Sequence, residues 1–551
     1  MSEDEEVVPL GLDPDYEYEI SARGPGADAV HTAWFERPSN KGLEIWGYTD
    51  RVSYSAGDEI VLHVHTTAPV YDVRIERDGA EPQPVFKALD QPGTPQQTPQ
   101  DAYAKGCGWQ ESLRLSVPED WKSGGYRVEF ACQKDGIRRV THHWFAIRPA
   151  PGPRTGKILL IAATGTWLAY NDWGGANHYE GETIPNGFSP TLSTQRPWAR
   201  GQIWLPAGAP RIPLTENVPM GWVPRYPNIE WAYAQGYSKY CAAAGWGSFE
   251  RHFMIWAEGE GYAVDLVTQH DLHESGDWLG GYSAAVIVGH DEYWSAPARD
   301  HLDAWVDAGG HLARFAGNYI WQTRISEDGR TQTCYKYAAP EQDEVMATDR
   351  EHLLTAAWDH PATGRPGALT MGASGMRGCY SRMGGWRPRA SGGYTVYRQK
   401  SWVFEGTDLY YGDVFGAEAQ ITGFEVDGLD YQVRYGKPYP TGADGVGEDQ
   451  VTILAMSVAG FFEEDHGNPG TNLYAGDGDA KFAAETLYGD HSPENMEKVE
   501  GGCGTMVLYH RGQGEIFNAG AVEWVNGLRC AEPFTEKITR NVLDRYLARE
   551  G

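Results

Sequence analysis

Ala284-Ala285-Val286-Ile287-Val288, followed by Gly289-His290-Asp291-Glu292-Tyr293-Trp294-Ser295, is the stretch that decides the reading of this chain. Five consecutive apolar residues, three of them β-branched, predict a strand buried on both faces, and Gly289 ends it. Ser295 offers an N-cap hydroxyl to a helix predicted over Ala296 to Ala308. Gly309-Gly310 stops that helix, and His311 to Phe315 reads as the next strand. Working outward, Lys157 to Ala162 is a similar buried strand that ends in the loop Ala163-Thr164-Gly165-Thr166. Phe249 to Glu258 reads as a helix and Tyr262 to Thr268 as a strand. This alternation predicts an α/β class with a doubly wound sheet. From about Asp349 to Asp444 the chain turns β-like and Gly-rich, with Tyr394 to Tyr397 and Ser401 to Phe404 as short β runs, which predicts a long insertion. Val451 to Met456 then resumes a buried strand, Thr505 to His510 pairs with Gly514 to Phe517, and Glu536 to Ala548 is a closing helix.

Upstream the character differs. Val52 to Tyr54, Glu59 to Thr66, Val70 to Arg77, Glu111 to Val117, Tyr126 to Gln133 and Thr141 to Ile147 are short β-rich runs separated by turn residues. That spacing predicts an all-β, immunoglobulin-like sandwich over residues 43–148. His63 and His65 share a strand face there, which a hydrogen-bonded face explains better than a ligand pair. Residues 1–42 are polar and Pro/Gly-punctuated and read as an extended arm, and Arg148 to Pro153 as a stiff linker. The α/β unit then occupies residues 156–551, with the insertion at about 349–444.

The chain has 551 residues, with 46 Lys plus Arg against 76 Asp plus Glu, a formal charge of −30, and only 13 of its cations are Lys. Such a charge repels phosphate backbones and anionic headgroups, so nucleic acid and membrane surfaces are not expected partners. No apolar run approaches the ~18 residues of a membrane span, and the start Met-Ser-Glu-Asp-Glu-Glu is the opposite of a signal-peptide head. The seven Cys never form a CxxC pair. A cytoplasmic setting is the expectation. The arm, the sandwich and the β-rich cover offer surface beyond the needs of a monomer, which predicts a homo-oligomer, a dimer or tetramer.

In an open α/β sheet, ligands bind outside the carboxyl ends of the strands. Four such ends are predicted here: Thr164 to Asp172, Gln269 to His273, Gly289 to Trp294, and Gly317-Asn318. His290-x-Glu292 is the sharpest element, because alternate residues of extended backbone point to one side and bring imidazole and carboxylate to one place. Tyrosines crowd the same rim, Tyr170 above all, and phenolate with carboxylate is a hard oxygen set suited to a ferric ion or another hard cation. The structural alternatives are that Glu292 caps the following helix or pairs with an arginine, and that each tyrosine is a packed rim aromatic. No GxSxG, P-loop or strand-linked GxGxxG occurs, and the turn after the third strand carries no Cys.

Trp167-Leu168-Ala169-Tyr170-Asn171-Asp172-Trp173-Gly174-Gly175, Val288 to Ser295, Gly317-Asn318 before Trp321, and Phe517-Asn518-Ala519-Gly520 with Trp524 together resemble the large (beta) subunit family of N,N-dimethylformamidase. The resemblance runs from about Gly156 to the C-terminus. It implies a glutamine-amidotransferase-like (flavodoxin-like) core without its cysteine, carrying a mononuclear iron (Fe3+) on two tyrosines and a glutamate. On this sequence Tyr170 and Glu292 match the first tyrosine and the glutamate, with His290 and Asn318 beside them and Lys336 near a family lysine. The second tyrosine falls between Arg196 and His252, with Tyr226 the first candidate and Tyr240 the second. The resemblance further implies a small partner subunit and a longer large subunit with an extra β domain.

The resulting expectation is hydrolysis of the C–N bond of a small N-alkylated amide such as N,N-dimethylformamide, to formate and dimethylamine. In this reading the metal polarises the acyl oxygen, His290 or Glu292 moves protons, Asn318 orients substrate or water, and Lys336 belongs to the catalytic set. Trp173 and Trp294 are expected to line an aromatic pocket. The rival readings are a same-fold metal hydrolase for another amide, urea-type or ester substrate, and a non-catalytic carbohydrate-binding protein whose tryptophans stack on sugars.

Overall fold

The computed structural model describes residues 35–184, 187–206, 209, 232, 235–381, 391–461 and 478–548. Of the expected arm, 35–42 lie among them. Eight strands follow: β1 (Ile45–Thr49), β2 (Ser53–Tyr54), β3 (Glu59–Thr66), β4 (Val70–Asp78), β5 (Gln83–Pro92), β6 (Leu113–Ser116), β7 (Gly124–Lys134) and β8 (Ile137–Ile147). They form two sheets, ordered β1-β3-β6 and β2-β8-β7-β4-β5. Period-2 alternation puts Ile60, Leu62, Val73, Ile75, Val128 and Phe130 into one core between them. Two of these strands, β1 and β5, escape the sequence reading. Pro84 and Pro92 argue against a strand, but β5 is at the sheet edge, where missing N–H donors cost no ladder bond.

The second part contains β9 (Lys157–Ala162), β10 (Thr191–Ser193), β11 (Ala263–Thr268), β12 (Ala284–His290), β13 (Tyr293–Ser295), β14 (His311–Gly317), β15 (Trp321–Ile325) and β16 (Thr331–Thr333). After them come β17 (Ser374–Tyr380), β18 (Tyr394–Val396), β19 (Val414–Phe415), β20 (Glu425–Gly428), β21 (Tyr431–Arg434), β22 (Lys437–Pro440), β23 (Val451–Ala459), β24 (Gly502–Arg511) and β25 (Gly514–Asn518). Nine of them make one mixed sheet, β11-β9-β12-β14-β25-β24-β23-β18-β19, parallel from β11 to β25 and antiparallel beyond. Successive residues of its strands enter opposite layers. Leu160, Val286 and Phe315 join one core with Phe253, Met254 and Leu543, while Leu159, Ile287 and Leu312 join a second with Leu272, Leu302 and Val306. Burial on both faces is why these strands are apolar runs and not alternating ones.

Among the described residues the α-helices longer than one turn are α1 (Thr164–Tyr170), α2 (Glu250–Gly259), α3 (Gln269–Glu274), α4 (Ala296–Asp307), α5 (Gly478–Tyr488), α6 (Pro493–Glu500), α7 (Trp524–Arg529) and α8 (Pro533–Ala548). The chain leaves β9 for β11 on one side and returns to β12 on the other, so the loops after β9 and β12 diverge and open a crevice at their carboxyl ends.

Two local expectations are corrected, and one strand end gains a definite form. Thr164 to Thr166, read as loop, is the first turn of α1, where complete burial of all seven helix residues overrides the poor propensity of Gly165 and two threonines. Gln269 to His273 is helical, because the Thr268 hydroxyl accepts from Asp271 N and the Asp271 carboxylate accepts from Thr268 N, a capping box. Ser401 to Phe404 is a 3-10 turn opened by the Ser401 hydroxyl.

Candidate active site

Tyr170 is the last residue of α1, directly after β9, and is 5% exposed. The helix is bolted to the turn after β12 by one hydroxyl: Thr166 Oγ1 accepts from Glu292 N at 2.9 Å and from Tyr293 N at 3.2 Å. In that turn Asp291 faces away from its neighbours. Its carboxylate accepts from Gln269 Nε2 at 3.0 Å, Trp294 Nε1 at 2.6 Å and Arg314 Nε at 3.0 Å. With Asp291 anchored on that side, extended backbone turns His290 and Glu292 to the other.

There Glu292 meets the rings of Tyr170, Trp321 and Tyr179. Tyr170 donates to Glu292 Oε2 at 3.0 Å, and Trp321 Nε1 donates to Oε1 at 2.6 Å. The Tyr179 hydroxyl lies 2.7 Å from that of Tyr170, 2.8 Å from Glu292 Oε2 and 3.1 Å from Oε1. Tyr293 adds a third hydroxyl, 3.0 Å from Tyr179 Oη. The Tyr240 ring stands beside the pair, 5.8 Å from Tyr170 and 5.9 Å from Tyr179 between centroids.

His290 is fully buried and fixed from both sides of its ring. Nδ1 lies 2.7 Å from Ala243 O, while Nε2 is 3.3 Å from Glu292 Oε2 and 3.0 Å from Glu425 Oε2. The Asn318 side-chain amide is 3.0 Å from the same Nε2. Asn318 sits where β14 ends, at φ 66°, a left-handed conformation that asparagine tolerates. Lys336 Nζ lies 3.5 Å from the centre of the Tyr179 ring, 4.8 Å from that of Tyr337 and 5.2 Å from that of Trp321.

The electrostatics follow from burial and from the carboxylates. Burial pushes the Tyr170, Tyr179 and Tyr293 phenols well above the usual range, and the charge of Glu292 adds to it. Burial would depress His290, but Glu425 and Glu292 outweigh it and hold the imidazole well above its ordinary value. Burial and the neighbouring Glu292 raise Glu425. Burial brings Lys336 down to about 8 against the pull of Glu292.

The structure therefore brings together Tyr170, Glu292, His290, Asn318 and Lys336, all candidates from the sequence. Tyr226 lies outside the described residues, and Tyr240 forms part of the ring wall. Two residues were missed. Tyr179 lies just beyond the motif that carries Tyr170, and no spacing rule singles it out. Glu425 arrives from β20, within the stretch read as an insertion, and nothing in its linear neighbourhood marks it. Trp173 and Trp294 do not line the site. Trp173 packs against Trp46 and Trp109 of the sandwich side, and Trp294 lies in the opposite core layer against Tyr319. Their direction depends on which way the local backbone turns, which hydropathy does not report. His63 and His65 are engaged as hydrogen-bonded face residues, with Trp109 O and with Gln96 O.

Among the described residues no three His, Cys, Asp or Glu side chains gather as a metal site. The oxygen-rich cluster is of another composition: two phenols converge on one carboxylate, with Tyr170 and Glu292 buried and Tyr179 half-buried. Phenols held this far above their usual pKa keep their protons unless a cation takes their place. Asn318 Oδ1 and the second carboxylate of Glu425 stand next to it, the former buried and without a hydrogen-bond partner among the described residues. The donor set fits a hard cation.

The family model described as N,N-dimethylformamidase beta subunit-like, C-terminal, matches residues 71–539. The N,N-dimethylformamidase beta subunit of Paracoccus aminophilus and that of Alcaligenes sp are each 22% identical to this chain over 466 residues. The matches cover 81% of this chain and 55% of each relative, so the chain spans about half the length of the curated relatives it matches. A solved family 123 glycoside hydrolase from Clostridium perfringens overlaps 23% of this chain and 32% of its own at 12% identity, with a TM-score of 0.10 that carries no weight.

Proposed function

This chain belongs to the N,N-dimethylformamidase beta subunit-like family, and on that premise we propose that it hydrolyses the C–N bond of a small N-alkylated amide such as N,N-dimethylformamide. The observation that carries the reading is the convergence of the Tyr170 and Tyr179 hydroxyls on the buried Glu292 carboxylate, with His290 wedged between Glu292 and Glu425. Tyr170, Glu292 and a second tyrosine would hold a mononuclear ferric ion, and among the described residues Tyr179 presents the nearest second phenol. Such an ion supplies Lewis acidity toward the acyl oxygen and toward water.

The rest is the work of side chains. His290 has Nδ1–H committed to the Ala243 carbonyl, so proton exchange is confined to Nε2, which faces Glu292 and Glu425. Held protonated by the two carboxylates, it is poised to give that proton to the departing amine, and the raised Glu425 carboxyl is placed to replace it. Asn318 lies beside that Nε2, and Lys336 offers N–H donors beside the Tyr179 ring. Water adds to the acyl carbon and the proton it sheds returns to the Glu425 and His290 pair, restoring what the pair gives the amine; the C–N bond breaks, and the amine leaves with its proton while the acid remains. The surrounding rings exclude bulk water and strengthen each of these electrostatic contacts.

A small partner subunit belongs to the same proposal, and the word "beta" in the relatives' names supports a partner subunit as such; a homo-oligomeric assembly is proposed beside it on the surface argument alone. Elemental analysis of the purified chain should find about one iron per chain, with phenolate-to-iron charge transfer colouring the sample. A colourless, metal-free and active preparation overturns the metal reading, and an iron-loaded preparation that hydrolyses no N-alkylated amide overturns the substrate.

A further inference from the structure

Trp321 does more than donate to Glu292. Its ring is the inner member of an aromatic trio that leads from the buried carboxylate toward the surface. The Phe482 ring stacks on Trp321 at 5.3 Å and 27°, and Tyr337 stands edge-on to both, 5.4 Å from Trp321 and 5.2 Å from Phe482. Exposure rises outward along this trio: Trp321 is buried, Phe482 is half-buried, and Tyr337 is 45% exposed.

Phe482 comes from α5, whose Ala480, Ala483 and Ala484 are buried in the core. The helix is held over the site at both ends by one strand. Tyr380 of β17 donates to Asp479 Oδ2 at 3.1 Å, and Arg377 of β17 donates to Tyr488 Oη at 2.7 Å. β17 in turn pairs with β20, the strand of Glu425. Asp479 and Phe482 are three residues apart and share a helix face, so anchoring Asp479 aims the Phe482 ring at Trp321. The ring is thus placed by a chain of fixed contacts and belongs to no strand end where ligand residues are expected.

We propose that Phe482 determines which nitrogen substituents the site accepts, admitting compact alkyl groups and excluding long-chain or aryl ones. This rests on the amide-hydrolase reading above and deepens it by naming the substrate class. The trio is apolar, and the charges on its inner side, the Lys336 ammonium beside the rings and the Glu292 carboxylate that accepts from Trp321, oppose each other, so uncharged apolar substituents are favoured there. On this proposal a longer substituent would extend past Trp321 toward the surface and meet the Phe482 ring stacked there, and a half-buried side chain can be truncated without opening the core.

The test compares N,N-dimethylformamide with N,N-dibutylformamide in the wild type, Phe482→Leu and Phe482→Ala. We expect the kcat/KM ratio of the dimethyl to the dibutyl amide to fall about tenfold or more in Phe482→Ala, with Phe482→Leu between, since a few methylenes in an apolar pocket discriminate on that order. Saturation-transfer NMR on the chain, which needs no turnover, should show contact with the terminal butyl methyls rising in Phe482→Ala. An unchanged ratio in both variants, or unchanged butyl contact, overturns the role of Phe482 while leaving the hydrolase reading standing. A wild type that hydrolyses neither amide overturns the hydrolase reading, and the NMR comparison then decides Phe482 alone.

Discussion

Replacing Arg314 by Met should be among the most damaging single changes outside the reacting groups. Arg314, Asp291 and Asp427 have fully buried side chains, and one guanidinium serves both carboxylates: Nε lies 3.0 Å from Asp291 Oδ2, and Nη1 pairs with Asp427 and lies 3.0 Å from Asn518 Oδ1. Asp427 also receives Tyr319 N at 2.9 Å, so the cluster ties the turn after β12, strand β14 and strand β20 together. Removing one partner of a buried pair costs ~3–5 kcal/mol, because a charge is left without compensation. Here two carboxylates are stranded by one substitution, so ~3–5 kcal/mol is the lower bound, against a typical total of ~5–15 kcal/mol. The loss should depend on pH in a definite sense. Burial already pushes Asp291 up to about 6 despite the pull of Arg314, and without that cation it rises further. A raised carboxyl favours the fold below its unfolded pKa and loses that contribution as pH climbs through the folded value. The deficit of Arg314→Met is therefore larger near about pH 8 than near about pH 5. Urea unfolding followed by circular dichroism at both pH values measures it, and Asp291→Asn with Asp427→Asn in the Met background should recover part of the loss. A deficit under ~1 kcal/mol, or one equal at both pH values, refutes the reasoning.

Tyr170→Phe keeps the ring and removes one oxygen, so stability should change by ~1 kcal/mol while iron content and colour collapse; retained colour returns Tyr170 to a packing role. Glu250 accepts from Ala163 N and Trp167 Nε1, and burial lifts it from 4.5 to about 7. Wild-type stability should therefore fall by ~3 kcal/mol through this group as pH rises across that window, and the curve of Glu250→Gln should be flatter, which parallel denaturation profiles would show or deny. Iron removal by a chelator should lower Tm and re-addition restore it, because a ligand of the folded state stabilises by mass action; a Tm indifferent to iron contradicts the site. Light scattering over a salt series should give a multiple of the 61.0 kDa chain mass that grows as salt screens the −30 charge, whereas a monomer at every ionic strength removes the oligomer.

Local pattern was enough for the elements that form the middle of the sheet. Lys157–Ala162 and Ala284–His290 are apolar because both their faces are covered, and that cause is readable in one dimension. The same logic located the polar strand ends, so His290, Glu292, Asn318 and Tyr170 could be nominated from the sequence, and the motifs around them carried the family. What the sequence could not supply is everything set by contact between distant segments. Glu425 reaches His290 only because β20 pairs with β17 and folds back over the crevice, and Phe482 reaches Trp321 only because Tyr380 and Arg377 hold α5 in place. Tyr179, one of many tyrosines, is distinguished solely by where its hydroxyl falls. Trp173 and Trp294 have the composition of pocket residues and point elsewhere. Hydrophobic periodicity reports how much of a residue is covered, whereas a site depends on which atoms do the covering, and only the folded chain determines that.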